Sequence, residues 1–93
     1  MERIKVVEIR RTCFACPSQW EGWTEDGRPV YIRYRWARLS VCIGPAGGDI
    51  WSAVDGEEVL GLQYGPPIDG CLTYTELKQL TQDVLELPDE EAK

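Results

Sequence analysis

The stretch of residues 29–43, PVYIRYRWARLSVCI, consists of two alternating runs that meet at Trp36 and Ala37. Successive side chains of a β-strand point to opposite faces, so a hairpin folded at these two residues sorts its side chains by register. One face is then wholly apolar and pairs Val30 with Ile43, Ile32 with Val41, and Tyr34 with Leu39. The opposite face pairs Tyr31 with Cys42, Arg33 with Ser40, and Arg35 with Arg38. The sequence therefore predicts an amphipathic hairpin whose polar face is rich in arginine.

Further strands are predicted on both sides of this hairpin. Alternation or short apolar runs bounded by turn residues indicate strands at residues 3–10, 18–24, 50–54 and 58–64. Asp26-Gly27 and Asp55-Gly56 are typical of tight hairpin turns, because both residue types tolerate positive φ. A bulge at Gly27 would decide whether Trp20 or Trp23 faces the core, and the sequence leaves that choice open.

A single helix is predicted near the C-terminus. Thr73 and Glu76 have the spacing of a capping box, and an apolar stripe follows at intervals of three and four residues. The stripe consists of Leu77, Leu80, Val84 and Leu87 and ends before Pro88. We therefore predict an α+β fold, namely an antiparallel β-meander or half-open barrel of five to six strands followed by one C-terminal helix. Residues 1–88 would form a single domain and residues 89–93 an acidic, flexible tail.

Length and charge limit the functions that this chain can have. A chain of 93 residues has room for one hydrophobic core, and its formal net charge of −6 should repel nucleic acid and anionic membranes. The charge is uneven, since residues 1–38 carry eight Lys and Arg against five Asp and Glu, whereas residues 39–93 carry two against eleven. The N-terminus is charged and lacks a long apolar run, so we expect a cytosolic protein without membrane partners.

The cysteines allow two interpretations. Cys13, Cys16, Cys42 and Cys71 could together supply four thiolates to a structural zinc ion. Such sites usually consist of two closely spaced pairs, and only Cys13 and Cys16 form one here. The spacing therefore favours reduced thiols that pack as small hydrophobic groups, and we expect no cofactor.

Arginine and aromatic residues make up the candidate ligand-binding set. It comprises Trp20, Tyr31, Arg33, Arg35, Trp36 and Arg38. Guanidinium groups bind phosphate or carboxylate through paired donors, while an aromatic ring can stack on a base. Trp36 would lie in a turn, where its ring is poorly buried unless a ligand or partner covers it. The alternative is a solvated strand face whose arginines pair with acids such as Asp55, Glu57 or Glu58.

The absence of histidine bears on catalysis. Without it the chain can form neither a serine–histidine–acid triad nor a cysteine–histidine pair. The paired carboxylates of Asp55 and Glu57 lie in a predicted turn with no sign of desolvation. We therefore do not expect an enzyme.

The segments CPSQWEG at residues 16–22, DGRPVYIRYRW at 26–36 and LSV at 39–41 resemble small uncharacterised proteins of bacteriophages and prophages. That resemblance implies no activity, but it suggests a phage counter-defence factor in the host cytoplasm. The first hypothesis is a homo-oligomeric binding protein that sequesters an anionic, nucleotide-like signalling molecule. The second is an inhibitor of a host protein that acts through the acidic half of the chain, for example by mimicking nucleic acid.

Overall fold

A computed structural model describes residues 3–13, 18–65 and 72–91 of the chain. Eight elements follow in the order β1 (Ile4–Cys13), β2 (Ser18–Thr24), β3 (Pro29–Arg35), β4 (Arg38–Ile43), α1 (Ile50–Val54), β5 (Glu57–Gln63), α2 (Tyr74–Thr81) and β6 (Leu85–Glu86). The strands form one sheet in the order β5-β4-β3-β2-β1-β6. Neighbours are antiparallel except for β6, which runs parallel to β1, so the sheet is mixed and curls into a half-barrel. The predicted connections at residues 14–17 and 66–71 lie outside the described residues.

The central hairpin has the predicted register. Strands β3 and β4 pair residue for residue from Val30 with Ile43 to Arg35 with Arg38. All six residues of its apolar face are buried, namely Val30, Ile32, Tyr34, Leu39, Val41 and Ile43. Trp36 and Ala37 form the turn with φ angles of 56° and 59°, which gives the chain the twist that a two-residue hairpin requires.

The core lies between the apolar face of the sheet and helix α2. Trp20, with 0% exposure, packs there beside Ile9 and Leu77, while Trp23 is only half-buried. Trp20 is therefore the tryptophan of β2 that faces the core, where it pairs with the buried Ile32 in the β2–β3 register. The capping box of α2 is also confirmed, because the hydroxyl of Thr73 accepts from the backbone N–H of Glu76 at 3.1 Å and the Glu76 carboxylate accepts from Thr73.

Helix α2 is shorter than predicted and is not the last element. It ends at Thr81, and β6 follows after a turn closed by a hydrogen bond from the Val84 N–H to the Thr81 carbonyl. The free edge of β1 explains this path, because the Ile4 N–H donates to the Val84 carbonyl at 2.8 Å and Ile4 then pairs with Leu85. The apolar stripe from Leu77 to Leu87, which has helical spacing, therefore extends through helix α2 and the short parallel strand β6.

Residues 50–54 form helix α1, so the predicted strand at this position is wrong. Asp49 caps the helix, with its side chain accepting from the Ser52 N–H at 3.0 Å. Gly56 lets the chain turn back closely, because a Cβ there would lie 2.4 Å from the Ile43 carbonyl oxygen. The Asp55-Gly56 pair thus joins α1 to β5 instead of two strands.

Candidate ligand-binding site on the polar face of the sheet

Strand β3 presents Tyr31, Arg33 and Arg35 on the face opposite the core. This placement follows from alternation, because Val30, Ile32 and Tyr34 between them are buried. Tyr31 is held by the neighbouring strand β2, because its hydroxyl donates to Gln19 Oε1 at 2.9 Å. The polar face of the hairpin is therefore present as predicted, with side chains in the predicted order.

Two arginines of this region are neutralised by acids. Arg28 lies 3.0 Å from the Asp26 carboxylate, and Arg38 lies 2.8 Å from Glu58. The hydrogen bond from Arg38 lowers the pKa of Glu58 below its ordinary value. For Arg38 the pairing with the acidic half of the chain, which the sequence offered as the alternative, is the one observed.

Arg33 and Arg35 differ from that pair. In residues 3–13, 18–65 and 72–91 neither has a carboxylate within salt-bridge distance. The Arg33 Nε atom is buried without a hydrogen-bond acceptor among the same residues, and an unmet buried donor costs roughly 1–3 kcal/mol. The Arg35 guanidinium lies 5.5 Å from the centroid of the Trp36 ring, a cation–π distance. The donors left for an anion are the terminal guanidinium nitrogens of these two residues, which make no hydrogen bond to the described residues.

The two candidate tryptophans have opposite environments. Trp36 is 61% exposed at the hairpin turn, as the sequence predicted. Trp20 is fully buried in the core, and its indole N–H donates to the Glu91 carboxylate at 2.7 Å. Trp20 therefore offers no surface to a ligand, and its inclusion among the candidate residues is corrected on this ground.

The remaining candidates do not converge on one pocket. Tyr31 and Trp36 are five residues apart along an extended hairpin, a separation of about 16 Å at the usual rise of a strand. Arg33 and Arg35 lie between them. The face is thus a strip with an aromatic ring at each end and unpaired cations in the middle.

A cleft lies at the Tyr31 end of this strip. It has a volume of about 230 Å³ and is bounded by helix α1 and by the polar face of β2 and β3. Its lining residues are Gln19, Glu21, Tyr31, Ile50, Trp51 and Val54. The cleft is absent from the sequence prediction, because a strand at residues 50–54 would not form its outer wall. The spacing of Asp49 and Ser52, which is that of a helix N-cap, was the signal that could have revealed it.

The phenol of Tyr31 is in a partly desolvated position. Burial raises its pKa above the ordinary value, and the charges of Glu21 and Cys42 act in the same direction. The charge of Arg33 opposes them and acts to lower the pKa. Tyr31 is therefore a neutral hydrogen-bonding group and a ring wall at neutral pH, with an acid and a cation close to it.

Of the four cysteines in the zinc hypothesis, only Cys42 has a described side chain. Cys16 and Cys71 lie outside the described residues, and only the backbone of Cys13 is described. Cys42 is a half-buried free thiol whose pKa is raised by burial. No group of three or more Cys, Asp or Glu side chains is placed to hold a metal ion within the part of the chain that the structure describes.

Comparison with known proteins gives no match to this chain among family models, curated proteins or solved structures. Neither helix of the described ranges is long and apolar enough to cross a membrane.

Proposed function

We propose that this chain is a non-enzymatic binding protein that holds an anionic, nucleotide-like molecule on the polar face of the β3–β4 hairpin. The observation that carries the proposal is the state of Arg33 and Arg35, which lack carboxylate partners among the described residues while Arg28 and Arg38 have them. Unpaired guanidinium groups beside aromatic rings are suited to phosphate and base.

The mechanism is stoichiometric capture. Arg33 and Arg35 lie two residues apart on one strand face, about 7 Å, so both can reach phosphate groups of one ligand. The exposed ring of Trp36 provides a stacking surface beside them. Such capture suits a homo-oligomeric counter-defence factor of a phage that removes a signalling molecule from the host cytoplasm, as the sequence resemblance suggests.

Isothermal titration calorimetry with inorganic pyrophosphate tests the anion site without reference to any base. Arg33→Ala and Arg35→Ala should each weaken binding about ten- to a hundredfold, because hydrogen bonds to charged groups contribute roughly 1.5–3 kcal/mol. Arg28→Ala removes the same charge from the neighbouring turn, where Asp26 already pairs it, and should leave binding nearly unchanged. Equal binding by all three variants would remove the proposed site.

The second candidate, inhibition of a host protein through the acidic half, has less to support it. Several of those carboxylates have partners within the chain, since Glu58 pairs with Arg38, Asp89 with Lys78 and Glu91 with Arg11. Binding to a protein partner that weakens steeply with added salt, together with no affinity for pyrophosphate, would favour this function over ours.

A further inference from the structure

The cleft between helix α1 and the sheet has the dimensions of a site for one ring system. Its volume of about 230 Å³ is many times the roughly 10–15 Å³ that a cavity needs to hold one water molecule. It is smaller than the roughly 300–1,000 Å³ of sites that enclose drug-sized ligands. A nucleobase fits these limits, whereas a whole nucleotide does not.

The walls of the cleft are flat and apolar on two sides. Trp51 stands on α1 with 77% of its side chain exposed, although it is the largest apolar residue of that helix. Tyr31 faces the cleft from the sheet and is held in place by its hydrogen bond to Gln19. Gln19 in turn donates to the Thr12 hydroxyl at 3.2 Å, so its amide is already engaged on both sides. The two rings line one cleft from different elements, and the hydrogen bonds of Tyr31 and Gln19 are already made within the chain.

Glu21 supplies the polar edge of the cleft. Glu21 lines the cleft and is half-buried, and its carboxylate has neither a hydrogen bond nor a salt bridge among the residues that the structure describes. An ionised carboxylate only accepts hydrogen bonds, and its two oxygens lie side by side. The matching ligand edge therefore carries two adjacent N–H donors.

We infer that this cleft binds a guanine-type ring, with the ring covered by Trp51 and Tyr31 and its N1–H and exocyclic amine donated to Glu21. Adenine has no N1–H and presents an acceptor at that position, so it would set a lone pair against the carboxylate. Hypoxanthine keeps the N1–H but lacks the amine. The carboxylate thus discriminates among purines by the number of donors that each one offers.

The inference rests on the proposed function in one respect, namely that the ring bound in the cleft and the phosphate bound by Arg33 belong to the same ligand. Arg33 lies two residues beyond Tyr31 on the same strand face, about 7 Å away, a distance that a ribose and phosphate attached to the ring can span. The ring site itself is independent of that connection, because none of its lining residues is an arginine.

Nucleosides test the ring site separately from the anion site, because they carry no phosphate. Guanosine, inosine and adenosine are titrated into the ¹⁵N-labelled full chain, and the indole N–H signal of Trp51, assigned with the Trp51→Phe variant, is followed by NMR. We expect affinities to fall in the order guanosine, inosine, adenosine, with guanosine at least tenfold tighter than adenosine. Trp51→Ala should weaken all three alike, by about tenfold or more, through loss of stacking. Because that variant has no Trp51 indole, its affinities are read from the backbone N–H signals of Glu21 and Tyr31.

Glu21→Gln is the decisive variant. It should reduce guanosine affinity about tenfold and raise adenosine affinity, because the Gln amide can donate to the adenine N1 lone pair that the carboxylate repels, and so abolish the preference. Glu57→Gln changes the same charge at an exposed position of β5 and should preserve the preference. Equal affinities of the three nucleosides for the unmodified protein, or a preference that survives Glu21→Gln, would overturn the inference. Pyrophosphate binding that depends on Arg33 would then still support the proposed function. Guanosine binding without pyrophosphate binding would instead retain the ring site and remove the anion site.

Discussion

At the scale of single residues, the hairpin turn combines a conformational cost with an exposed ring. Trp36 and Ala37 both have positive φ, which for residues other than glycine costs roughly 1–2 kcal/mol each. Asparagine or glycine would meet the geometry at lower cost. Trp36 is a large aromatic residue that is 61% exposed at this costly position, and a role in contacting a ligand would account for it.

Trp36→Asn should therefore stabilise the protein by about 0.5–1 kcal/mol while weakening ligand binding. Relief of the positive-φ cost outweighs the loss of the exposed cation–π contact with Arg35, which is worth roughly 0.5–1 kcal/mol. Urea unfolding measures the change as a higher midpoint at constant m-value. Trp36→Phe keeps both the ring and the strain, and so should match the unmodified protein in stability. A Trp36→Asn variant less stable than the unmodified protein would show that the turn carries no such cost.

At the scale of elements, the capping box of α2 makes the free energy of unfolding depend on pH in the acidic range. The backbone of Thr73, and then the Tyr64 hydroxyl, donate to the Glu76 carboxylate and lower its pKa below the ordinary value of about 4.5. A folded-state pKa below the unfolded one means that this contribution is fully present above about pH 5 and is lost as the pH falls through the lowered pKa. Glu76→Gln should therefore flatten the stability profile between about pH 5 and 3, as measured by urea midpoints across that range.

Gln serves the capping box almost as well as Glu, so the variant isolates the charge from the cap. Thr73→Ala removes the cap itself and should cost about 1 kcal/mol at pH 7. If Glu76→Gln kept the full acid dependence of the unmodified protein, the lowered pKa of Glu76 would not contribute to it.

Some elements can be predicted from the sequence and others cannot, because some are determined by local interactions and others by tertiary ones. Alternation predicts the β3–β4 register and the burial of Ile32, because a shift by one residue would expose the whole apolar face. The capping box predicts the start of α2 for a similarly local reason. Helix α1 has a local signal in the Asp49 cap, which apolar periodicity does not register. Close packing at Gly56 and the pairing of β6 with the free edge of β1 are tertiary causes that periodicity cannot show.

The same distinction applies to the candidate site. The polar strip of Tyr31, Arg33 and Arg35 follows from alternation and is found where predicted. The cleft requires α1 to lie against β2 and β3, so Glu21 and Trp51 could not be grouped from their positions in the chain. Tertiary structure also decides which arginines are neutralised, since Glu58 reaches Arg38 only through the pairing of β4 with β5.

At the scale of the whole molecule, the C-terminal residues close the core against the first two strands. The Glu91 carboxylate accepts the indole N–H of the buried Trp20 at 2.7 Å and lies 3.9 Å from Arg11 Nε. The Arg11 guanidinium in turn lies 4.5 Å from the Trp20 ring centroid. The Tyr74 hydroxyl donates to the Pro88 carbonyl at 2.6 Å, and burial, reinforced by the charges of Glu91 and Asp89, raises the pKa of Tyr74 to about 12.

Glu91→Ala should consequently lower the free energy of unfolding by roughly 1–3 kcal/mol, because the Trp20 N–H would lose its acceptor while its ring stays in the core. Glu91→Gln keeps an acceptor oxygen and should recover most of that loss, the remainder being the charge facing Arg11. Glu90→Ala, at the exposed neighbouring position, should change stability by less than about 0.5 kcal/mol. Urea unfolding followed by tryptophan fluorescence compares the three variants. A Glu91→Ala variant as stable as Glu90→Ala would mean that solvent replaces the carboxylate at Trp20, and that the C-terminal residues do not hold the core closed.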